Sequence, residues 1–321
     1  MMNRNRSQKI PHAGPSNKLR NQGDLHRIPR IIPDNAFETT QLSGGRSYID
    51  ITTGPWTYMS LPVVIVSDVA IAGETYRKGG QHIVKTQHFS KYVSSMALRV
   101  NAQILLDYHV DELIKKNDYE DAGMLDGFVG FVFTNYRKYN DQRVADLFAL
   151  GTGNLRNVKV EMLQTSAFDS ATMKIECRPI AVHERKPALY LKRSETLPFT
   201  FNGAGQHLVS TIGVGDDIES IFIDAEGITR IELEADGVKQ IDGSLADVQN
   251  YLLMAGKDPS AFGNKFFIDF HALGVPTSLA AMSTPEQVSR GARIKLKITT
   301  TQANTEVVVR TNYAGLLVDI A

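Results

Sequence analysis

Eight histidines and one cysteine are the side chains best suited to bind a metal ion or attack a carbonyl, and their spacing does neither. The histidines are His12, His26, His82, His88, His109, His183, His207 and His271. None forms a His-x-His followed by Glu, and there is no His-Glu-x-x-His. His82 and His88 are separated by an even number of residues, so one strand could carry both on a single face. Each histidine otherwise reads as a surface or loop residue. Cys177 lies in the alternating run Met173-Lys174-Ile175-Glu176-Cys177. It has no histidine partner nearby in sequence, and a buried structural thiol is expected.

The remaining candidates are equally bland. Gly151-Thr152-Gly153-Asn154 and Gly213-Val214-Gly215-Asp216 lack the Lys-Ser/Thr of a phosphate loop and the strand–helix setting of a dinucleotide site, and read as turns. Asp216, Asp217 and Glu219 are oxygen donors of the type calcium takes. A solvated acidic loop is the simpler reading, so structural calcium is compatible with these residues but no cofactor is predicted. The acid pairs Asp107 with Glu112 and Asp236 with Asp242 could serve glycoside hydrolysis only if they faced one cleft. Trp56 and Tyr58 could form a sugar platform, but in a strand they are expected to pack in the core.

The elements that would have to position such groups repeat. Leu155–Ala167 aligns with Gly291–Ala303, placing Val158, Lys159, Val160 and Met162 on Ile294, Lys295, Leu296 and Ile298. Both alternate apolar and polar side chains, the period of a strand with one buried face. Met96–Leu105 resembles Arg230–Ile241, Phe128–Phe133 resembles Phe266–Phe270, and Thr172–Pro179 resembles Thr305–Asn312. The blocks keep their order at offsets of 133 to 137 residues. One β-rich domain used twice is the expected architecture.

The 321 residues exceed one comfortable core. Lys+Arg and Asp+Glu number 35 each, so the net charge is zero and gives no bulk attraction to nucleic acid. With one cysteine no intramolecular disulfide can form, which fits folding in a reducing cytoplasm. No apolar run approaches the ~18 residues of a membrane span, and the basic N-terminus lacks the apolar core of a secretory signal.

Residues 1–44 read as a basic extended arm. Arg4, Arg6, Lys9, Lys18, Arg20, Arg27 and Arg30 face a single acid, Asp24, before residue 34, and prolines exclude regular elements. Ile28, Ile31 and Ile32 form a short apolar anchor. Such an arm cannot bury itself on its own chain and is expected to order on a neighbour.

The first β domain is assigned to 45–186 and the second to 187–321, joined by the charged linker His183–Pro187. Strands are expected at Tyr48–Thr52, Thr57–Ser67, Gln81–His88, Ser95–Leu106, Gly127–Thr134, Asn157–Thr165 and Thr172–Ile180. The second set is Tyr190–Lys192, Leu197–Phe201, His207–Val214, Ser220–Asp224, Thr229–Glu234, Lys265–His271, Arg293–Thr301 and Glu306–Asn312. Helices are expected at Ser244–Ala255, with a capping box to Asp247, at Val110–Lys116 as its weaker counterpart, and at Asp141–Leu150. Many short strands without strand–helix alternation indicate an all-β chain of two tandem eight-stranded jelly-roll sandwiches with short inserted helices.

Two tandem jelly rolls with a helix between strands, preceded by a basic arm, resemble the major capsid proteins of tailless, membrane-containing icosahedral phages. The likeness is to the corticovirus coat protein, and more distantly to tectivirus coat proteins. It rests on this organisation and on the opening Leu42–Ile51 and Gly54–Leu61. The resemblance implies a non-enzymatic coat protein in homotrimers of six jelly rolls, tiling a virion shell over an internal membrane and assembled in the host cytoplasm. It also implies penton and minor membrane-associated capsid proteins as partners, and an arm that meets lipid or neighbouring trimers without specific nucleic-acid recognition. Each basic residue near an anionic leaflet adds about 1 kcal/mol, screened by salt. A glycan- or receptor-binding module and, less favoured, a glycan-active hydrolase are the alternatives.

Overall fold

The computed structural model describes residues 30–31, 37–38, 40–41, 45–134, 148–188, 190–209, 212, 217–270, 272 and 294–316. The expected helix Asp141–Leu150 lies outside them up to residue 147. Leu150 itself belongs to a two-residue strand, Leu150–Gly151, paired with Tyr58 and Thr57.

Sixteen strands and two helices form the repeated frame. The first half contains β1 (Phe37–Glu38), β2 (Arg46–Ile51), β3 (Thr57–Ser67), β4 (Val93–Val100), β5 (Gln103–His109), α1 (Val110–Tyr119), β6 (Phe128–Val132), β7 (Val158–Gln164) and β8 (Met173–Cys177). The second contains β9 (Tyr190–Phe201), β10 (Gly205–Val209), β11 (Asp217–Asp224), β12 (Ile228–Ala235), β13 (Val238–Ser244), α2 (Leu245–Met254), β14 (Phe266–Asp269), β15 (Ile294–Thr300) and β16 (Thr305–Leu316). The sheets run β1-β8-β3-β6 and β2-β7-β4-β5, then β9-β16-β11-β14 and β10-β15-β12-β13, all antiparallel. Adding eight to a strand's number gives its counterpart in both order and pairing. This is a double jelly roll.

The repeat holds at the level of register. Val158, Val160 and Met162 lie opposite Val100, Leu98 and Met96, while Ile294, Leu296 and Ile298 lie opposite Ala235, Leu233 and Ile231. The last aligned block, Thr172–Pro179, needs a correction of one residue. Met173, Ile175 and Cys177 point inward, and so do Thr305, Val307 and Val309. Thr172–Pro179 therefore superposes at an offset of 132 rather than 133. A one-residue slip exchanges the faces of a strand, and the run Val307-Val308-Val309 gives sequence no parity to read.

Each sandwich has its own core. Ile49, Leu61, Val63, Ile65, Leu98 and Val160 belong to the first, and Ile221, Ile231, Leu233, Leu296, Ile298 and Val309 to the second. The first sandwich also carries a hairpin, Thr75–Lys78 with Gln81–Val84, whose Ile83 and Tyr76 join Val64 and Val66 in a separate small cluster. This is why β3 reads as a continuous apolar run: both of its faces are covered.

Several expected boundaries differ. Ser95–Leu106 is not one strand but the β4–β5 hairpin, turning at Asn101 and Ala102 with φ of +47° and +73°. Asp236 and Gly237 make the equivalent turn with φ of +49° and +80°. Both have the type I′ sign pattern, which an Asp-Gly pair announces and an Asn-Ala pair does not. Tyr190–Lys192 and Leu197–Phe201 are parts of one strand, because the polar residues between them continue the pairing with β16. Gln81–His88 ends as a strand at Val84, and His88 falls in a 3-10 turn, so His82 and His88 do not share a strand. Helix α2 is capped by Ser244 with Asp247 in a capping box. Helix α1 extends beyond its expected end to Tyr119.

Candidate functional site: the seam between the sandwiches

Helix α1 follows β5 directly and has two jobs. Val110 and Leu113 enter the core of the first sandwich. Other positions carry Glu112 and Tyr119 across to the second sandwich. The receiving surface is the outer face of the β9-β16-β11-β14 sheet. Alternation along β11 and β14 puts Ile221 and Ile268 inward and leaves Phe222 and Phe267 on this face, where they cluster with Tyr119, Leu252, Phe262 and Ala272. The Tyr119 ring lies 4.8 Å from that of Phe267 and 5.3 Å from that of Phe262, and its hydroxyl donates to Asp269 Oδ2 at 3.0 Å.

Beside this aromatic cluster is a buried polar one. Arg310 of β16 forms an ion pair with Glu112, their side chains being only 5% and 14% exposed. Its Nε donates to Thr196 Oγ1 at 2.9 Å, and the guanidinium lies 5.0 Å from the Tyr108 ring centroid. Burial lowers the Arg310 pKa, opposed by Tyr108 and Asp107. The Tyr108 hydroxyl donates to Asn312 Oδ1 at 2.5 Å, and Asn312 Nδ2 donates to Ser220 Oγ at 2.8 Å. The backbone N–H of Asp107 donates to Ser194 Oγ at 2.9 Å. Beside the seam a small cleft is lined by Leu113, Lys116, Asn117, Lys192 and Glu219.

The linker is also fastened down. Thr57 Oγ1 donates to Glu184 O at 2.7 Å, Gly153 N–H to Lys186 O at 2.8 Å, and Ala188 N–H to Asn154 Oδ1 at 2.9 Å. A Cβ at Gly151 or Gly153 would lie 2.7 or 2.8 Å from Lys186 O, so the Gly151–Asn154 stretch is glycine-rich because the linker backbone crosses it closely.

The candidates from sequence are dispersed. Glu112 is held by Arg310 rather than facing Asp107 across a cleft, Asp236 sits in a hairpin turn, and Asp242 pairs with Arg230 at 2.6 Å. Glu219 is buried, not part of a solvated loop, because it lies on β11 facing the seam; Asp216 is outside the described residues. Tyr58 is fully buried and donates to Thr52 O at 2.7 Å, while Trp56 lies edge-on to His183 at 4.8 Å. Cys177 is buried, and desolvation raises its thiol pKa, as expected of a structural thiol. His207 stacks on Phe201 at 4.1 Å. His12, His26 and His271 are outside the described residues. Among the described residues, no three His, Cys, Asp or Glu side chains converge.

Of the arm, Arg4, Arg6, Lys9, Lys18, Arg20, Arg27, Ile28 and Ile32 lie outside the described residues. Arg30–Ile31 pairs with Ala181 and Ile180, Phe37–Glu38 with Cys177 and Glu176, and Thr40–Gln41 with Tyr48 and Ser47. This part of the arm therefore orders on its own chain, contrary to the expectation from composition. Backbone pairing at a sheet edge needs no apolar periodicity.

Arg310 and Asn312 were not singled out by sequence. Their signal is two polar residues interrupting the apolar run of β16, on a strand whose other face is core.

Comparison with known proteins bears on this frame. Residues 191–315 match the family model of the viral coat protein P2 C-terminal domain. The match spans the second sandwich, from β9 to β16. The major capsid protein P2 of bacteriophage PM2 superposes with a TM-score of 0.67 at 20% identity, covering 88% of this chain and 97% of that one. A chain of the atomic structure of Sulfolobus Turreted Icosahedral Virus gives 0.59 at 13% identity, covering 91% of both chains. The Faustovirus major capsid protein gives 0.52 at 8% identity, covering 90% and 89%. The likenesses extend through both sandwiches, so the whole frame has the double jelly-roll fold of these capsid proteins. No curated protein matches the chain.

Proposed function

We propose that this chain is a major capsid protein, a structural coat subunit that self-associates into the shell of an icosahedral virion. The observation that carries this reading is the coat-protein domain at 191–315 set within a double jelly roll spanning both halves of the chain. The seam supports it. Its polar groups bond across two sandwiches and make one rigid block, as a lattice unit requires, whereas an enzyme or lectin needs a site open to ligand.

The subunit is read as a homotrimer, in which a duplicated domain lets a three-fold object meet six-fold neighbours. The domains are 45–186 and 187–321, the first completed by strand β1 (Phe37–Glu38) from the arm at 1–44. The basic arm upstream of the paired Arg30–Ile31 strand, through Arg4, Arg6, Lys9, Lys18, Arg20 and Arg27 and with Ile28 and Ile32 as its apolar anchor, meets an internal membrane or neighbouring subunits. Penton and minor membrane-associated proteins complete the shell, which assembles in the host cytoplasm.

Light scattering across protein concentration tests the core of this reading. A species of three times the chain's 35.5 kDa that survives dilution, with particles visible by electron microscopy, is expected. A monomer at every concentration and salt tested would remove it.

A further inference from the structure

The two sandwiches differ between their third and fourth strands. β11 ends at Asp224 and β12 begins at Ile228, whereas Asp68–Tyr92 separates β3 from β4. Cys177 opposite Val63 is equivalent to Val309 opposite Ile223, so Asp224 corresponds to Val64. β3 continues past that level through Ile65, Val66 and Ser67. The hairpin Thr75–Lys78 with Gln81–Val84 pairs there, on Val66 and Ser67. It therefore stands beyond the level at which the equivalent strand of the second sandwich ends.

The arm leaves the same sheet at its other end. Arg30 is opposite Ala181, which is opposite Tyr58, while Phe37 is opposite Cys177, which is opposite Val63. The chain upstream of Arg30 thus leads away past Thr57. The hairpin sits at Val66, about 27 Å further along β3. The basic arm and the hairpin are separate surfaces at opposite ends of one sandwich.

From Thr75 to Lys85 the hairpin carries Arg77, Lys78, His82 and Lys85 and no acid. Its packing is explained by Tyr76 and Ile83, which cover Val64 and Val66. Arg77 and Lys78 have no such role. Both are exposed, and among the described residues neither makes an ion pair or a side-chain hydrogen bond. They precede a tight turn in which Gly79 and Gly80 have φ of +58° and +85°, the type I′ sign pattern. A Cβ on either glycine would meet nothing within 4 Å, so a polymer can lie across the turn.

The acids at the base of the hairpin are already engaged. Glu74 holds Lys91 at 2.6 Å and accepts from the Tyr92 hydroxyl, and Asp126 Oδ1 accepts from the Thr86 N–H at 2.9 Å. The Tyr76 hydroxyl donates to Asp126 O at 2.5 Å and Lys85 Nζ to Gly73 O at 3.0 Å. These bonds fix the hairpin before any ligand arrives, which lowers the ordering cost of binding. No large apolar side chain is exposed between Thr75 and Lys85, so the hairpin has nothing to insert into a bilayer.

We infer that this hairpin is a binding site for an anionic polysaccharide outside the shell. Arg77 offers a planar fork to a carboxylate or sulfate. Lys78 adds a charge on the other face of the ribbon, so a polymer crossing the turn meets both. The whole chain is neutral, so the attraction belongs to the hairpin and not to bulk charge. The outward direction rests on the coat reading, in which the arm end faces inward. That direction favours polysaccharide over nucleic acid, which a shell encloses on the arm side. One hairpin binds weakly and is screened by salt, but a shell repeats it many times over one polymer-coated surface.

Lysine acetylation read by mass spectrometry tests the site on the full chain, with heparin as the probe polysaccharide and neutral dextran as its blank. Heparin is expected to lower labelling of Lys78 at least fivefold, and dextran to leave it unchanged. Protection confined to Lys9 and Lys18 of the arm overturns the site. Stronger protection of Lys78 by duplex DNA than by heparin would assign it to nucleic acid and overturn it too. Arg77→Gln with Lys78→Gln should weaken retention of assembled particles on immobilised heparin at least tenfold. The control is Arg156→Gln with Arg185→Gln, exposed cations beside the Asn101 turn and in the linker, and should change retention less than twofold. Wild-type thermal midpoints show that both variants fold. Equal weakening by the two pairs would mean that only total charge is read, against the site. Lys78 protected on a chain that never forms particles keeps the polysaccharide site and removes the coat reading. Particles whose Lys78 stays fully labelled keep the coat reading and remove the site.

Discussion

Tyr108 and Asn312 are 204 residues apart in sequence, yet the Tyr108 hydroxyl donates to Asn312 Oδ1 at 2.5 Å in the buried seam. Asn312 passes the connection on to Ser220. The first sandwich therefore reads the second through a chain of hydrogen bonds rather than through apolar contact alone. Tyr108→Phe leaves the Asn312 carbonyl oxygen without this donor and should cost about 1–3 kcal/mol. A double-mutant cycle with Asn312→Ala, followed by urea unfolding, should show a coupling of about 1 kcal/mol; additive losses would contradict the link.

Glu112 and Arg310 present a sharper case. Breaking a buried ion pair from one side strands a charge, so Glu112→Gln should destabilise by about 3–5 kcal/mol. Replacing both, as Glu112→Leu with Arg310→Met, should recover most of that loss. Denaturant midpoints check this, and a double variant as unstable as the single one would refute it.

Ala102 holds a φ of +73° at a position where an L side chain is strained. Ala102→Gly should raise stability by about 0.5–1 kcal/mol, although glycine in a sheet normally lowers it. Thermal unfolding gives the sign directly, and a lower midpoint would show that the turn is not strained.

The outer face of β12, β13 and β15 carries a ladder of charges. Lys297 and then Lys239 hold the Glu232 carboxyl below its ordinary pKa, and Arg230 and then Lys239 do the same for Asp242. A carboxyl with a lowered folded pKa contributes stability that is fully present above its unfolded pKa and is lost as pH falls through the folded one. Stability should thus hold at neutral pH and decline below the ordinary carboxylate range. In Glu232→Gln with Asp242→Asn this acid limb should be shallower, as measured by urea midpoints across pH. An unchanged limb would assign the acid sensitivity elsewhere.

Removing residues 1–29 leaves the pairing of Arg30–Ile31 with Ala181 and Ile180 in place. The truncated chain should unfold at the wild-type midpoint but yield fewer particles. A normal particle yield would refute the assembly role of the arm.

How much of this was legible beforehand differs by level. Alternation along Val158–Gln164 and Ile294–Thr300, the capping box at Ser244 and Asp247, and the order of four matched blocks were enough for two tandem β-sandwiches with a helix in each. These signals are local: a strand's period and a helix cap are set by residues within a few positions of one another. The coat-like reading followed from that organisation.

What only the tertiary structure decided lies between the halves. The spacing of Glu112 from Asp107 commended no role for it, and it is the counter-ion of Arg310, 198 residues away. Tyr119 and Met254 occupy the same place in two copies of one fold, yet one is buried and the other exposed. Sequence periodicity says which side of an element faces its own core. It says nothing about what meets the opposite side, because that partner is set by how two finished sandwiches stack, and no local pattern records it.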